Sequence, residues 1–161
     1  MSALKLRKMD GSIQEFRPSE SPAMVVIFVS AACPMSTEYS ERIIQLAVDY
    51  SRHGVRILVT NSNQNESDTE VEKQRVEAHL SIPIYRDDGA VAKILGAIAT
   101  PTAVVIDRGG VTRYFGMIDN SRNPARATKH LLRSALDSVV AGRAVEIPRT
   151  KVMGCSIKSA L

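Results

Sequence analysis

Two cysteines carry the redox-capable chemistry of this sequence. Cys33 stands in "VVIFVSAACPMSTEY" (residues 25–39), where an apolar, largely β-branched run gives way to Cys-Pro and a polar stretch with helical character. A thiol at that handover borders the first turn of a helix, whose free N–H groups and dipole favour an anion. Such surroundings lower a thiol from about 8.5 to roughly 3.5–7.5, and the thiolate is the nucleophile of disulfide exchange. The other reading of the same residue is a small buried hydrophobe, which free cysteines often are. Ser36 follows one turn later. Its hydroxyl can hydrogen-bond a thiolate but cannot close a disulfide. Once Cys33 is oxidised to a sulfenic acid or enters a mixed disulfide, another sulfur must resolve it. The candidates are Cys155, which follows Gly154 in a polar tail, a Cys33 from a second copy, and an external thiol. Distance decides for Cys155: beyond about 7 Å between Cα atoms no bond forms without backbone movement.

Around the thiol, Ser30, Pro34, Thr100, Pro101 and Asn63 are the candidate groove residues. A cis bond at Thr100-Pro101 would present the preceding backbone to an incoming extended chain. Asn61, Asn63 and Asn65 fall at the C-terminal end of an expected parallel strand, where α/β folds place their sites. A solvated loop that caps the next helix is the plainer reading of that stretch. His53, His79 and His130 do not sit at ligand spacing with the cysteines, so no metal is expected. They read as helix-end and surface residues. Asp87-Asp88 reads as a helix cap. Two cysteines are too few for a disulfide scaffold.

The elements that must position these residues follow from local signals. "LKLRKMDGSIQEF" alternates around Asp10-Gly11, the signal for a tight hairpin. "AMVVIFV" has the continuous apolar character of a buried central strand. Pro34 suits the first helical position, and the spacing predicts a helix from there to His53, stopped by Gly54. Its apolar stripe is Tyr39, Ile43, Leu46, Ala47 and Tyr50. "VRILVT" (55–60) is the next strand. Ser67 and Glu70 form a capping box that opens a helix to about Leu80. "IPIYRD" is a short extended piece. Asp88 caps a short helix from Gly89 to Leu95, ended by Gly96. "TPTAVVID" and "VTRYFGM" make a second hairpin. Asn123-Pro124 opens the last helix, with Ala127, Leu131, Leu132, Ala135, Leu136, Val139 and Val140 facing the core. Alternating βα units followed by a hairpin and a final helix imply an α/β fold. The sheet is mixed and central, with helices on both faces and an added N-terminal β-hairpin.

The length of 161 residues suits one domain, 1–161, with 143–161 as a C-terminal tail. Lys and Arg are scattered despite a net charge of +4, with no basic run and no interleaved aromatics, which argues against a nucleic-acid partner. The N-terminus has no apolar stretch behind its charges. The longest apolar run, Ala23 to Val29, is far short of the ~20 residues of a membrane span. A cytoplasmic protein with no membrane partner is expected, its oligomeric state left open.

A strand ending in Cys-Pro-x-x, with a later Thr-Pro before another strand, resembles the thioredoxin fold. "FVSAACPMSTEY", "GVRILVTNSN", "TPTAVVIDRGG", "RYFGMIDNS" and "GCSIK" together are similar to the peroxiredoxin-like, or redoxin, branch of that superfamily, of alkyl hydroperoxide reductase and thiol-specific antioxidant type. The resemblance implies that Pro101 is cis and packs beside the reactive cysteine. It implies a thiol-based oxidoreductase that uses Cys33 to reduce disulfides or hydroperoxides, with no cofactor. An external thiol reductant or a cysteine-containing protein would be its partner. The chain departs from its relatives at three places. Ser36 stands where thioredoxins carry a second cysteine. Val26 stands where peroxiredoxins carry a proline. Thr100-Pro101 stands where peroxiredoxins carry an arginine, leaving Arg86 or Arg113 as the source of a cation. These departures keep open an alternative: a non-turnover module that holds a partner protein or its cysteine.

Overall fold

The computed structural model describes residues 1–159; Ala160 and Leu161, the end of the expected tail, lie outside the described residues. The alternation around Asp10-Gly11 makes an antiparallel hairpin of β1 (Leu4–Arg7) and β2 (Ile13–Phe16). Gly11 turns it with a φ of 90°, where a Cβ would be strained. β3 (Ala23–Phe28) is buried along its whole length. Its residues alternate between two cores: Val25 and Ile27 join one cluster, Met24, Val26 and Phe28 the other. A strand apolar on both faces must be covered on both, and each large side chain so buried contributes about 1.5–3 kcal/mol.

After β3 come α1 (Pro34–Thr37), α2 (Ser40–Ser51), β4 (Arg56–Asn61), α3 (Asp68–Glu77), β5 (Ile84–Arg86) and α4 (Ala90–Leu95). The chain continues with β6 (Ala99–Thr100), β7 (Thr102–Asp107), β8 (Thr112–Gly116), α5 (Leu131–Val140) and β9 (Cys155–Ser156). The main sheet has seven strands in the order β2-β1-β5-β4-β3-β7-β8. β3, β4 and β5 are mutually parallel; the other pairings are antiparallel. Residues of α2, α3 and α5 pack in one core and those of α4 in the other, so helices cover both faces. A separate two-stranded sheet joins β6 to β9.

Two helices differ from the sequence expectation. The helix expected from Pro34 to His53 is interrupted at Glu38-Tyr39. Tyr39, with ψ at −3°, buries its ring and donates its hydroxyl to Asp119 at 2.9 Å. Asn123 does cap a turn, accepting from the Ala125 amide at 3.0 Å, but the turn is a 3-10 segment, Pro124–Arg126. The Thr128 and Lys129 amides donate to the Asn120 side chain, which withholds them from a helix, and α5 begins only at Leu131. The capping box is present: Ser67 and Glu70 exchange both hydrogen bonds at the start of α3. At α4 the principal cap is Asp87 rather than Asp88. Its buried carboxylate accepts from Val91 and Ala92, while Asp88 accepts only from Ala90.

Candidate active site

Cys33 occupies the cap position of α1, with extended backbone (φ −97°, ψ 110°) and its carbonyl accepting from the Ser36 and Thr37 amides. Pro34 follows at the first helical position. The Cys33 side chain is 1% exposed. It is joined to Cys155 in a disulfide that spans 122 residues of sequence, with 6.0 Å between Cα atoms. That lies inside the reach a disulfide requires. The Thr100–Pro101 bond is cis, and the Cys33 Sγ lies 3.7 Å from the Thr100 carbonyl oxygen. The two sulfurs and the Thr-Pro segment thus form one constellation.

The tail reaches this place as a strand. Residues 148–150 first run along β8: the Phe115 amide donates to Pro148, and the Thr150 amide donates to Phe115. The chain then crosses to β6, where Cys155 pairs with Thr100 and Ser156 with Ala99, antiparallel. A Cβ at Gly154 would overlap the Thr100 carbonyl, so the approach needs glycine there. The Ile157 amide donates to the Ile98 carbonyl at 2.9 Å, and its side chain packs against the core cluster that includes Leu95 and Ala97. The Lys158 amide donates to Asn63 Oδ1 at 2.8 Å, and the Lys158 carbonyl accepts from the Gln64 amide at 2.7 Å. Asn63 therefore holds the tail.

Beneath the loop that delivers Cys33 lies a buried carboxylate. Glu66 accepts from the Ser30 hydroxyl at 2.5 Å, from the Ala31 and Ala32 amides at 3.0 and 3.1 Å, and from Asn61 Nδ2 at 2.6 Å. Burial alone pushes its carboxyl up, but the donors from Ser30, Asn61, Ala31 and Ala32 outweigh it and hold the group below its ordinary range. Arg86, also buried, donates to Asn61 Oδ1 and to the carbonyls of Asn63 and Glu66, and pairs with Asp68 at 3.0 Å. Three consecutive residues ahead of the thiol are thus fixed through one carboxylate, itself fixed by an arginine-braced loop.

This arrangement gives both hydroxyls near the thiol a partner in the loop. The Ser36 hydroxyl accepts from the Ser30 amide at 2.9 Å and so braces the loop. The Ser30 hydroxyl, expected in the groove, donates to Glu66. Neither arginine considered as a cation serves Cys33: Arg86 braces the asparagine loop, and Arg113 pairs with Asp107 at an exposed strand end. Sequence reasoning missed Glu66 as part of the site, and it weighed Arg86 only as a cation for the thiol, not as the brace of the loop. Glu66 stands in a polar run whose composition reads as solvated, and only its hydrogen-bond partners distinguish it.

The redoxin family model matches residues 5–131, and the chain belongs to that family. Cys155 and the rest of the tail lie beyond the matched region. An uncharacterized conserved protein from Geobacillus kaustophilus is 30% identical, with a TM-score of 0.85 over 98% of this chain and 89% of that one. A hypothetical protein from Sinorhizobium meliloti is 27% identical, with a TM-score of 0.84 over 99% of this chain and 92% of that one. A secreted disulfide oxidoreductase of Mycobacterium tuberculosis shares the fold at 17% identity, TM-score 0.59, over 86% of this chain and 95% of that one. The fold is therefore the thioredoxin fold, with the N-terminal hairpin added to its sheet. A search of the curated proteins gave no match. No helix among the described residues is long and apolar enough to cross a membrane.

Proposed function

We propose that this redoxin is a thiol–disulfide oxidoreductase that cycles between a Cys33/Cys155 dithiol and the Cys33–Cys155 disulfide. The observation that carries the reading is the bond itself, formed beside the cis Thr100–Pro101 segment. The Cys33 thiolate attacks a substrate disulfide, forming a mixed disulfide and releasing one substrate thiolate. Cys155 then attacks the Cys33 sulfur, releasing the second substrate thiolate and closing the intramolecular bond. The substrate gains two electrons and the protein loses two. An external thiol reductant, small or protein-borne, returns the electrons. Its approach is from Cys155, which lies on the exposed tail, because Cys33 is buried. Cys33 leaves as a thiolate at the start of α1. A second sulfur within bonding distance favours turnover over a module that merely holds a partner's cysteine.

Hydroperoxide reduction is the second reading, because the same bond is its product: Cys33 would become a sulfenic acid, and Cys155 would displace water from it. A cytoplasmic setting fits the cycle, since disulfides there are mostly transient and catalytic.

One experiment separates these readings. The reduced chain is mixed with one equivalent of a protein disulfide or of hydrogen peroxide, and its thiols are mapped by mass spectrometry over time. Rapid Cys33–Cys155 closure with the protein disulfide supports disulfide exchange. Closure with peroxide alone supports peroxidase action. Turnover that persists in Cys33→Ser overturns both.

A further inference from the structure

The tail lies in the groove beside Thr100-Pro101 as an extended strand, with a cysteine bonded to the reactive sulfur. We infer that residues 152–158 are a tethered stand-in for the substrate. The groove accordingly accepts an extended polypeptide segment with glycine immediately before its cysteine and a branched aliphatic residue two positions after it. The inference rests on the disulfide-exchange reading and adds a substrate pattern to it.

Each part of the pattern follows from a contact. The Thr100 carbonyl occupies the space a Cβ would take at the position before the cysteine, so any residue larger than glycine forces the strand away. Two positions after the cysteine, the Ile157 side chain seats on the core cluster that includes Leu95 and Ala97, while its amide is held by Ile98. The next residue is gripped only through its backbone, by Asn63 and Gln64, which sets no side-chain requirement. Ser156 and Met153 are exposed, so those positions are free to vary. Strand addition of this kind takes affinity from the main-chain ladder and specificity from alternate side-chain seats.

The test uses the full chain carrying Cys155→Ser, so that Cys33 has no internal partner. Three synthetic peptides are supplied as mixed disulfides with thionitrobenzoate: Val-Met-Gly-Cys-Ser-Ile-Lys, the same peptide with Gly154→Ala, and the same with Ile157→Ser. The Cys33 thiolate bonds to the peptide sulfur, the peptide–thionitrobenzoate bond breaks, and the coloured thiolate leaves with the electron pair. The protein's own tail competes equally against all three, so the ratio of rates reads the groove. At sub-saturating concentration each altered peptide is expected to react about tenfold or more slowly than the parent. Equal rates for the three peptides, with Cys33 reacting readily with a small aromatic disulfide, overturn the substrate pattern and leave the redox function standing. Failure of Cys33 to react with the small disulfide as well overturns the redox reading and this inference with it. A parallel measurement on Cys155→Ala gives the same ratios if the pattern is right and guards against an artefact of the serine.

Discussion

The two ends of the disulfide are held by opposite kinds of structure. Cys33 is buried, and the three residues before it are tied to one carboxylate that accepts four hydrogen bonds and is braced in turn by Arg86. Cys155 lies in an exposed tail held by a two-residue strand, the aliphatic contacts of Val152 and Ile157, and a pair of bonds at Lys158. Buried networks of several hydrogen bonds are rigid, whereas short exposed ladders open at low free-energy cost. A resolving cysteine has to leave the groove to admit a substrate and return to close the bond; a nucleophile has to stay aimed. In the proposed cycle, the asymmetry divides those tasks between the two ends.

Breaking the rigid end has the largest effect. Glu66→Ala removes a buried charge and strands the Ser30 hydroxyl, the Asn61 amide and two backbone N–H groups, so a loss of about 3–5 kcal/mol in unfolding free energy is expected by denaturant titration. Glu66→Gln keeps the shape but places a donor where donors already converge, at a cost of about 1–3 kcal/mol. The pH dependence has a defined sign. The Glu66 carboxyl is held below its ordinary range in the folded state, so its contribution is fully present above the unfolded-state value and is lost as pH falls through the folded one. The stability gap between the wild-type chain and Glu66→Gln therefore narrows below about pH 4. A gap that stays constant from neutrality into that acid range would show that Glu66 does not act as a charge.

How much was legible follows from the range of each signal. The hairpin at Gly11, the buried strand before Cys33, the capping box at Ser67 and the Thr100-Pro101 entry are written in a few adjacent residues, and the folded chain shows each. The break at Tyr39 depends on Asp119, eighty residues away, and no local pattern carries it. The site divides the same way. Cys-Pro before a helix is a local motif. The Ser30 hydroxyl finds its partner, Glu66, thirty-six residues away, and the Ser36 hydroxyl's bond from the Ser30 amide needs the loop closed on α1, so neither shows in the local sequence. Asn63 stood out for its place at a strand end, but its tie to Lys158 comes from a ninety-five-residue separation. The tail's strand pairing is equally remote: nothing in "MGCSIK" names Thr100 as its neighbour.

A smaller effect is expected at the tail end, and it falls on the bond rather than on the fold. Gly154→Ala puts a methyl group into the Thr100 carbonyl. Relief by moving the strand costs roughly 1–3 kcal/mol, charged only to the state in which the tail is docked. The equilibrium between the Cys33–Cys155 disulfide and glutathione shifts toward the dithiol by about tenfold or more, since 1.4 kcal/mol is a factor of ten. The reduced chain unfolds at an unchanged denaturant concentration. A matching loss of stability in the reduced chain would mean that Gly154 serves the fold and not the docking of the tail.

Asn63→Ala sharpens the comparison most finely because it touches one grip alone. The Asn63 backbone keeps its bonds to Asn61 and Arg86, so the rigid loop is preserved, while Lys158 loses its side-chain acceptor. The Asn63 Nδ2 is buried without a partner among the described residues, and its removal returns part of what the lost bond contributed. A net change of about 0.5–1 kcal/mol is expected, near the lower end for a single hydrogen bond. It should appear as faster amide exchange at Lys158 and a several-fold faster attack by an external thiol on the disulfide, with Cys33 reactivity toward small disulfides unaltered in the reduced chain. If reduction speeds up no more than in a control substitution at exposed Lys151, the grip at Lys158 does not limit release, and the short ladder between β6 and β9 alone sets how fast the tail lets go.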